Sequence, residues 1–371
     1  MIRLDCRGDA TARAETTVTH ALDAHAERPS AQTGARRRLA GGAGIPVIGA
    51  GTFGSDRYDA ETVAAGVEHA LRAGFRLLDC ASVYGNEPLV GEAIRDVLGS
   101  TELTRADLFV MSKIWNDAHE PADAVDSVLT SIDDLGVGYL DAVFVHWPFP
   151  NHHAPLAATD ARDASARPYI HAEFMRTWAA LESLVDRGLV RHLGTSNVTI
   201  AKLSRIVRDA RIQPALNEME LHPCFQQPEL FRLCLDHNIQ PIGYSPLGSP
   251  SRPVRDRTDT DVSDVDHPVV VSIAADHGVH PAAICLAWAV NRGHIPIPFA
   301  VKSAQIEANL RAAEIRLTPH ELEELRGVER NSRLIKGQVF LWPGSADWLD
   351  LWDVDGTIPG WGGYGTPEAE G

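Results

Sequence analysis

Lysine is nearly missing from this chain: Lys113, Lys202, Lys302 and Lys336 are the only four among 34 basic residues. Positive charge as a whole is short, since 34 Lys and Arg face 50 Asp and Glu and leave a net charge of −16. Nucleic acid and anionic membrane surfaces want concentrated positive charge, so neither is expected as a partner. Long apolar runs are lacking too. The longest are about strand length, under the roughly 20 residues a bilayer span needs, and the first 40 residues hold no apolar core of a secretory signal. Cysteine is scarce and odd in number: Cys6, Cys80, Cys224, Cys234 and Cys285 contain no CxxC pair, which fits scattered thiols and a cytoplasmic location. His146, His152 and His153 have no HExxH or HxH spacing and no completing carboxylate or Cys, so no metal site is assigned. No GxSxG elbow offers a hydrolase nucleophile. No glycine fingerprint is assigned to the opening of a βα unit, and a doubly wound dinucleotide domain is set aside.

What is present is a rhythm. Residues 1–37, rich in Ala, Arg, Asp and Thr, read as a poorly ordered N-terminal extension; Asp5, Asp9, Glu15, Asp23 and Glu27 argue against an acid-poor mitochondrial leader. From residue 38, strands are predicted near Pro46–Gly49, Phe75–Leu78, Leu108–Ser112, Asp141–Val145, Arg191–Gly194, Pro214–Asn217, Gln240–Tyr244 and Ile295–Pro298. Helices are predicted between them, near Ala60–Ala73, Leu89–Leu98, Pro121–Leu135, Ala172–Asp186, Ile200–Asp209, Pro228–His237 and Val269–His277, with a last one at Glu321–Glu329. Eight such units point to an α/β fold, a single (β/α)8 TIM barrel over residues 38–330 with long βα loops. Three stretches break the rhythm: Phe149–Tyr169, Ser249–Asp266 and a C-terminal tail, residues 331–371, that carries four of the eight Trp. The first two follow strands, on the face where barrels keep active sites, and the tail is expected over that mouth.

Polar residues stand where three successive strands end. Asp79 and Tyr84 follow Phe75–Leu78, Lys113 follows Leu108–Ser112, and His146 follows Asp141–Val145. A Tyr hydroxyl is a poor acid near neutral pH, with an ordinary pKa of about 10. An ammonium beside it favours the phenolate and eases release of the proton. Lys113 can supply that charge, Asp79 can hold Lys113 in place, and His146 can hydrogen-bond a substrate oxygen. Such a group suits protonation of a carbonyl oxygen while its carbon is reduced. In a chain so biased toward Arg, a retained Lys at this position is informative.

Gly74-Phe-Arg-x-x-Asp-x-Ala-x-x-Tyr-x-Asn-Glu, Val90-Gly-Glu-Ala-Ile, Ser112-Lys-Ile-Trp and Val145-His-Trp-Pro, in that order, resemble the aldo-keto reductase superfamily. So do the intervals of 5, 29 and 33 residues between Asp79, Tyr84, Lys113 and His146, and the segments Gly51-Thr-Phe, Gly194-Thr-Ser-Asn, Leu221-His-Pro, Tyr244-Ser-Pro-Leu-Gly-Ser and Lys302-Ser. The resemblance implies an NAD(P)H-dependent enzyme that reduces an aldehyde or ketone, with Tyr84 as general acid, Lys113 and Asp79 tuning it and His146 orienting the carbonyl. It also implies that Ser196, Asn197 and Glu218 meet the nicotinamide carboxamide and that Tyr244 stacks on its ring. Ser245, Leu247 and Ser249 are then expected along the pyrophosphate, and Lys302, Ser303 and Asn309 at the adenosine end. Thr52 and Asp79 are expected near the same cofactor, and Phe53, Trp115 and Trp147 as walls of the substrate site.

Two departures from that pattern bear on the cofactor. Glu218 stands where the family usually has Gln, and Gln305 and Ala308 stand where it often has Arg and Glu. NADPH is therefore expected with NADH possible, since the missing Arg removes a bidentate phosphate partner. A tail combining Phe340, Trp342, Trp348, Trp352 and Trp361 with Asp347, Asp350, Asp353 and Asp355 is similar to that of sugar reductases, which points to a sugar-like or small polar carbonyl. Trp178 and Trp288, on predicted helices, read as core. The expected state is a monomer or weak homo-oligomer. A cofactor-binding redox sensor with little turnover, and an NAD-dependent alcohol or sugar dehydrogenase, are the alternative readings.

Overall fold

A computed structural model describes residues 35–54, 57–152, 163–249, 252, 257–259 and 261–353. The expectations placed on residues 1–34, on His153 and on Asp355 and Trp361 lie outside the described residues.

The chain enters through an antiparallel hairpin of β1 (Arg36–Arg38) and β2 (Gly44–Pro46), so strand pairing starts inside the stretch read as an extension. The strand predicted near Pro46–Gly49 is divided in two. Its front belongs to this hairpin, and the barrel itself begins at the two-residue β3 (Ala50–Gly51). Pro46 has no N–H for a ladder, which suits the end of an edge strand.

From there β4 (Leu77–Asp79), β5 (Phe109–Ile114), β6 (Leu140–Val145), β7 (Val190–Ser196), β8 (Leu216–Glu220), β9 (Gln240–Tyr244) and β10 (Ile295–Ile297) pair in parallel, in chain order. Two backbone hydrogen bonds close the ring: the N–H of Gly49 gives to the Pro296 carbonyl (3.1 Å) and that of Gly51 to the Pro298 carbonyl (3.0 Å). The spacing Gly49-Ala-Gly51-Thr-Phe-Gly54 does match a dinucleotide fingerprint, contrary to the sequence reading, but the first of these glycines serves the seam. A Cβ on Gly49 would strike Leu77 and lie 2.6 Å from Ile297 Cδ1.

The outer ring holds α1 (Ala60–Ala73), α2 (Glu87–Ser100), α3 (Pro121–Leu135), α4 (His171–Asp186), α5 (Ile200–Asp209), α6 (Pro228–Asp236), α7 (Pro268–His277), α8 (Pro281–Arg292), α9 (Ser303–Ala312) and α10 (Pro319–Arg326). Helix α8, on which Trp288 was expected, was given no bounds because it has no polar stripe to set a period: Ile284 through Val290 are buried without a break. Helix α9 escaped prediction for the opposite reason, burying only Ile306 and Ala312. Trp178 and Trp288 are core, at 0% and 2% exposure.

Alternation along the strands builds the barrel interior in layers. Leu77, Phe109, Met111, Ala142, Phe144, Leu216, Ile242, Ile295 and Ile297 form one inner cluster, plugged by Leu39 and Ile45 from the entry hairpin. Continuing the same alternation by two residues reaches Asp79 from Leu77, Lys113 from Met111, His146 from Phe144, Glu218 from Leu216 and Tyr244 from Ile242. An apolar column is thereby topped by a polar layer at the C-terminal ends of the strands.

Candidate active site

Asp79 ends β4, and Tyr84 closes a short 3-10 turn, Ser82–Tyr84. Ser82 Oγ holds this turn to β5 by giving to the Lys113 carbonyl at 3.1 Å. Thr52 Oγ1 gives to the Asp79 carbonyl (2.9 Å), and Asn86 Nδ2 to the Thr52 carbonyl (2.8 Å), which stitches the loop after β3 onto the same strand end. Behind β5, Ser112 Oγ (2.6 Å) and Ser131 Oγ (2.8 Å) both donate to the buried carboxyl of Glu87. Asn86 and Glu87 had been quoted as motif residues without a role. Their task is to fix the backbone that carries Thr52 and Lys113.

The Lys113 ammonium is buried. It pairs with Asp79 Oδ1, gives to the Cys80 carbonyl at 3.2 Å, and stands 3.4 Å from Glu218 Oε1. It also lies 5.5 Å from the centroid of the Tyr84 ring. Burial opposes its charge, but Asp79, Glu218 and Tyr84 together outweigh burial and hold it well above its ordinary pKa. Burial likewise raises Asp79, against the pull of Lys113. Burial raises the Tyr84 phenol, Lys113 pulls it back down, and Asp79 and Glu218 push it up again; the net direction is upward, so the resting hydroxyl keeps its proton. His146, 5.9 Å from Tyr84 ring to ring, is driven well below its ordinary value by burial and by Lys113, and it is therefore neutral. A neutral imidazole has one N–H to give to a substrate oxygen.

Two further strand ends complete the polar layer. Asn197 follows β7 with φ of 54°; its Nδ2 gives to the His146 carbonyl (2.8 Å), and its Oδ1 accepts from the Tyr244 hydroxyl (2.6 Å). Glu218 Oε2 is buried with no partner. The strand predicted at Pro214–Asn217 actually runs Leu216–Glu220, which brings Glu218 inside it. After β9, Ser245 and Ser249 take left-handed φ of 51° and 43°, and Leu247 is half-buried in the same turn. Lys302 is the exposed N-cap of α9, Ser303 is its first residue, and Asn309 lies six residues further along the same helix. Helix N-termini suit phosphate. A dinucleotide fits this donor set: a spare Asn197 lone pair, the Ser196 hydroxyl, the unpartnered Glu218 Oε2, the half-buried Tyr244 ring, and the α9 terminus with its Lys.

The tail supplies what sequence reasoning left open. Phe340 stacks near Trp115 (5.7 Å) and Trp147 (4.7 Å), and Trp115 in turn meets His146 at 5.0 Å. Phe53, half exposed, lies 5.0 Å from Tyr84. Phe53 and Trp115 therefore border Tyr84 and His146 directly, whereas Trp147, 5% exposed, is packed among Phe149, Phe340 and Trp352 and props the tail. Three anchors hold the tail there. Asn151 Nδ2 gives to the Phe340 carbonyl (2.8 Å); buried Lys202 and Thr199 both bond Asp353; and Glu220 accepts from the N–H groups of Leu334 (2.8 Å) and Ile335 (3.0 Å). The last anchor extends into a buried chain: His222 Nε2 meets Glu220 (3.1 Å), its Nδ1 meets Asp264 (2.9 Å), and Asp264 also takes the Cys224 N–H (2.8 Å). His222 lies in the Leu221-His-Pro motif and Phe340 among the aromatics of the tail, whereas nothing in the sequence marks Asp264.

Fold and site together define a class: a closed parallel barrel whose mouth carries a half-buried Tyr over a buried Lys–Asp pair, beside a neutral His. The aldo/keto reductase family model matches residues 47–330, and the chain belongs to that family. An aldo/keto reductase of Synechocystis is 37% identical over 85% of this chain and 95% of its own. The glycerol 2-dehydrogenase (NADP+) of Hypocrea jecorina is 37% identical over 78% of this chain and 90% of its own. A crystal structure of a Bombyx mori aldo-keto reductase in complex with NADP superposes with a TM-score of 0.71 at 28% identity, covering 81% of this chain and 94% of that one.

Proposed function

We propose that this chain is an NADPH-dependent reductase that converts an aldehyde or ketone to the alcohol, with Tyr84 as proton donor. One observation carries the reading: half-buried Tyr84 and His146 meet the buried Asp79–Lys113 pair at three successive strand ends. NADPH is supported by the NADP named for the silkworm structure and for the Hypocrea enzyme. When bound, the reduced nicotinamide supplies the hydride, and Ser196, Asn197, Glu218, Tyr244, Ser245, Leu247, Ser249, Lys302, Ser303 and Asn309 are the residues to hold the cofactor.

The chain's own groups do the rest. The neutral His146 N–H orients the carbonyl oxygen, and the Tyr84 O–H meets the same oxygen as negative charge develops on it. Tyr84 gives up its proton more readily because Lys113, fixed by Asp79, stabilises the phenolate left behind. Phe53 and Trp115 exclude water and offer apolar faces to the carbon skeleton. A small polyhydroxylated carbonyl is the favoured substrate class, supported by the glycerol named for one relative and by the acidic, aromatic tail. The buried free thiols at Cys80, Cys224, Cys234 and Cys285 support a reducing compartment such as the cytoplasm.

Tyr84→Phe tests the mechanism. The ring and its contact with Phe53 persist but the proton is gone, so kcat should fall at least ~10²-fold while NADPH still quenches the intrinsic fluorescence. Near-normal turnover in that variant would refute the assignment.

A further inference from the structure

Lys113 faces more negative charge than one ammonium can neutralise. Asp79 Oδ1 is paired with it and Glu218 Oε1 stands 3.4 Å away, with the three side chains at 5%, 3% and 0% exposure for Asp79, Glu218 and Lys113. If both acids were ionised, the dry layer would carry a net negative charge, and Glu218 Oε2 would be a bare anionic oxygen with no donor at all. An unpaired buried charge is costly enough that the group takes up a proton instead. The geometry says which acid does so. Asp79 holds the tighter contact with Lys113, whereas Glu218 has only the looser one and an empty second oxygen.

We infer that Glu218 is a positioning residue that works as a neutral carboxylic acid, leaving Lys113 to Asp79 and Tyr84. The inference rests on the proton-donor reading of Tyr84 for its effect on turnover, but not for its own chemistry. Of the titratable groups facing Glu218, Asp79 favours the neutral form and Lys113 alone opposes it. From β4, Asp79 repels a second anion; from β5, Lys113 attracts it but is already paired; from the 3-10 turn and β9, Tyr84 and Tyr244 are neutral phenols. Ser196 and Asn197, at the end of neighbouring β7, bring no charge. Burial first and Asp79 second raise the Glu218 carboxyl to about 8.

The neutral form matters because ionised Glu218 would act against Tyr84 in two ways. It would draw Lys113 away from the phenol, and it would oppose the phenolate that proton donation creates. Raising the pH through about 8 should therefore slow reduction before Tyr84 itself titrates.

Two measurements decide the matter. Difference infrared spectra of the ligand-free protein at pH 6 to 10 should show the carbonyl stretch of a protonated carboxyl, lost with a midpoint near 8 and absent in Glu218→Gln. Separately, kcat/KM with NADPH and a simple aldehyde should fall roughly tenfold per pH unit above that midpoint in the wild type, while in Glu218→Gln the fall moves to higher pH. No such band at pH 6, or an identical alkaline fall in both proteins, overturns the inference. An absence of NADPH oxidation at every pH overturns the reductase reading and leaves the infrared result standing on its own.

Discussion

The buried His222 should make this protein lose stability as the solution turns alkaline, by an amount the structure allows to be worked out. Its ring nitrogens meet Glu220 at 3.1 Å and Asp264 at 2.9 Å, and all three side chains are fully buried. Burial opposes the charged ring, but the bonds to Asp264 and Glu220 outweigh it and lift the group from its ordinary 6.5 to about 9. At about 1.4 kcal/mol per tenfold change in proton affinity, that preference is worth about 3 kcal/mol to the folded state. The sign follows from a folded pKa above the unfolded one: the contribution is complete below about pH 6.5 and is lost as pH rises through about 9.

His222→Gln removes the titration. Urea unfolding at pH 6 and at pH 9.5 gives four stabilities, and the gap between wild type and variant should shrink by about 3 kcal/mol at the higher pH, equivalent to about 4–5 °C in melting temperature for a barrel of this size. Glu218 also destabilises the fold as pH rises, but it is present in both proteins and cancels in the difference. Because Glu220 holds the N–H groups of Leu334 and Ile335, hydrogen exchange at those two positions should quicken in the variant. A gap that is the same at both pH values would refute the buried imidazolium.

Other outcomes follow from the same contacts. Asp353→Ala strands the buried Lys202 ammonium and should cost about 3–5 kcal/mol, read by denaturant unfolding; Lys202→Met combined with Asp353→Leu should recover most of it, and failure to do so would remove the ion pair as the cause. Phe340→Ala takes away the ring beside Trp115 and Trp147, so KM across an aldehyde panel should rise about tenfold or more with less change in kcat; equal KM values would deny the tail any part in the pocket. Gly91→Ala, in α2, drives a methyl into the backbone of Asp134 and Leu135 at the end of α3, where no side chain can swing aside; a loss of about 1–3 kcal/mol is expected, and an unchanged melting curve would contradict that helix contact.

How far the sequence carried depends on the kind of signal each residue leaves. The strands that end in Asp79, Lys113 and His146 are short apolar runs with a polar stop, and they fall within a residue or two of where they were placed. Helix α8 could be given no bounds because a helix buried all round has no periodic contrast, and the entry hairpin was hidden because three arginines do not resemble a strand. Of the site, the residues at strand ends were legible; those acting across the chain were not. Asp353 reaches Lys202 over 151 positions, Asn151 reaches Phe340 over 189, and no local pattern encodes such partners. Glu218 was noticed as an acid where an amide was expected, but only the shared distance to Lys113 shows why an acid can serve there.

The layering of the barrel interior has a consequence for traffic. Below Lys113 lies a column of Leu77, Met111, Phe144, Ile242 and Ile295, stoppered by Ile45, and none of these side chains can relay a proton. The charged layer is thus insulated on one side and open on the other, like a terminal with a single lead. On the reading of Tyr84 as proton donor, its proton is replenished through the mouth, past the rings of Phe53 and Trp115 that border Tyr84 and His146. Reloading the acid and exchanging the product then share one doorway, and the two events have to take turns.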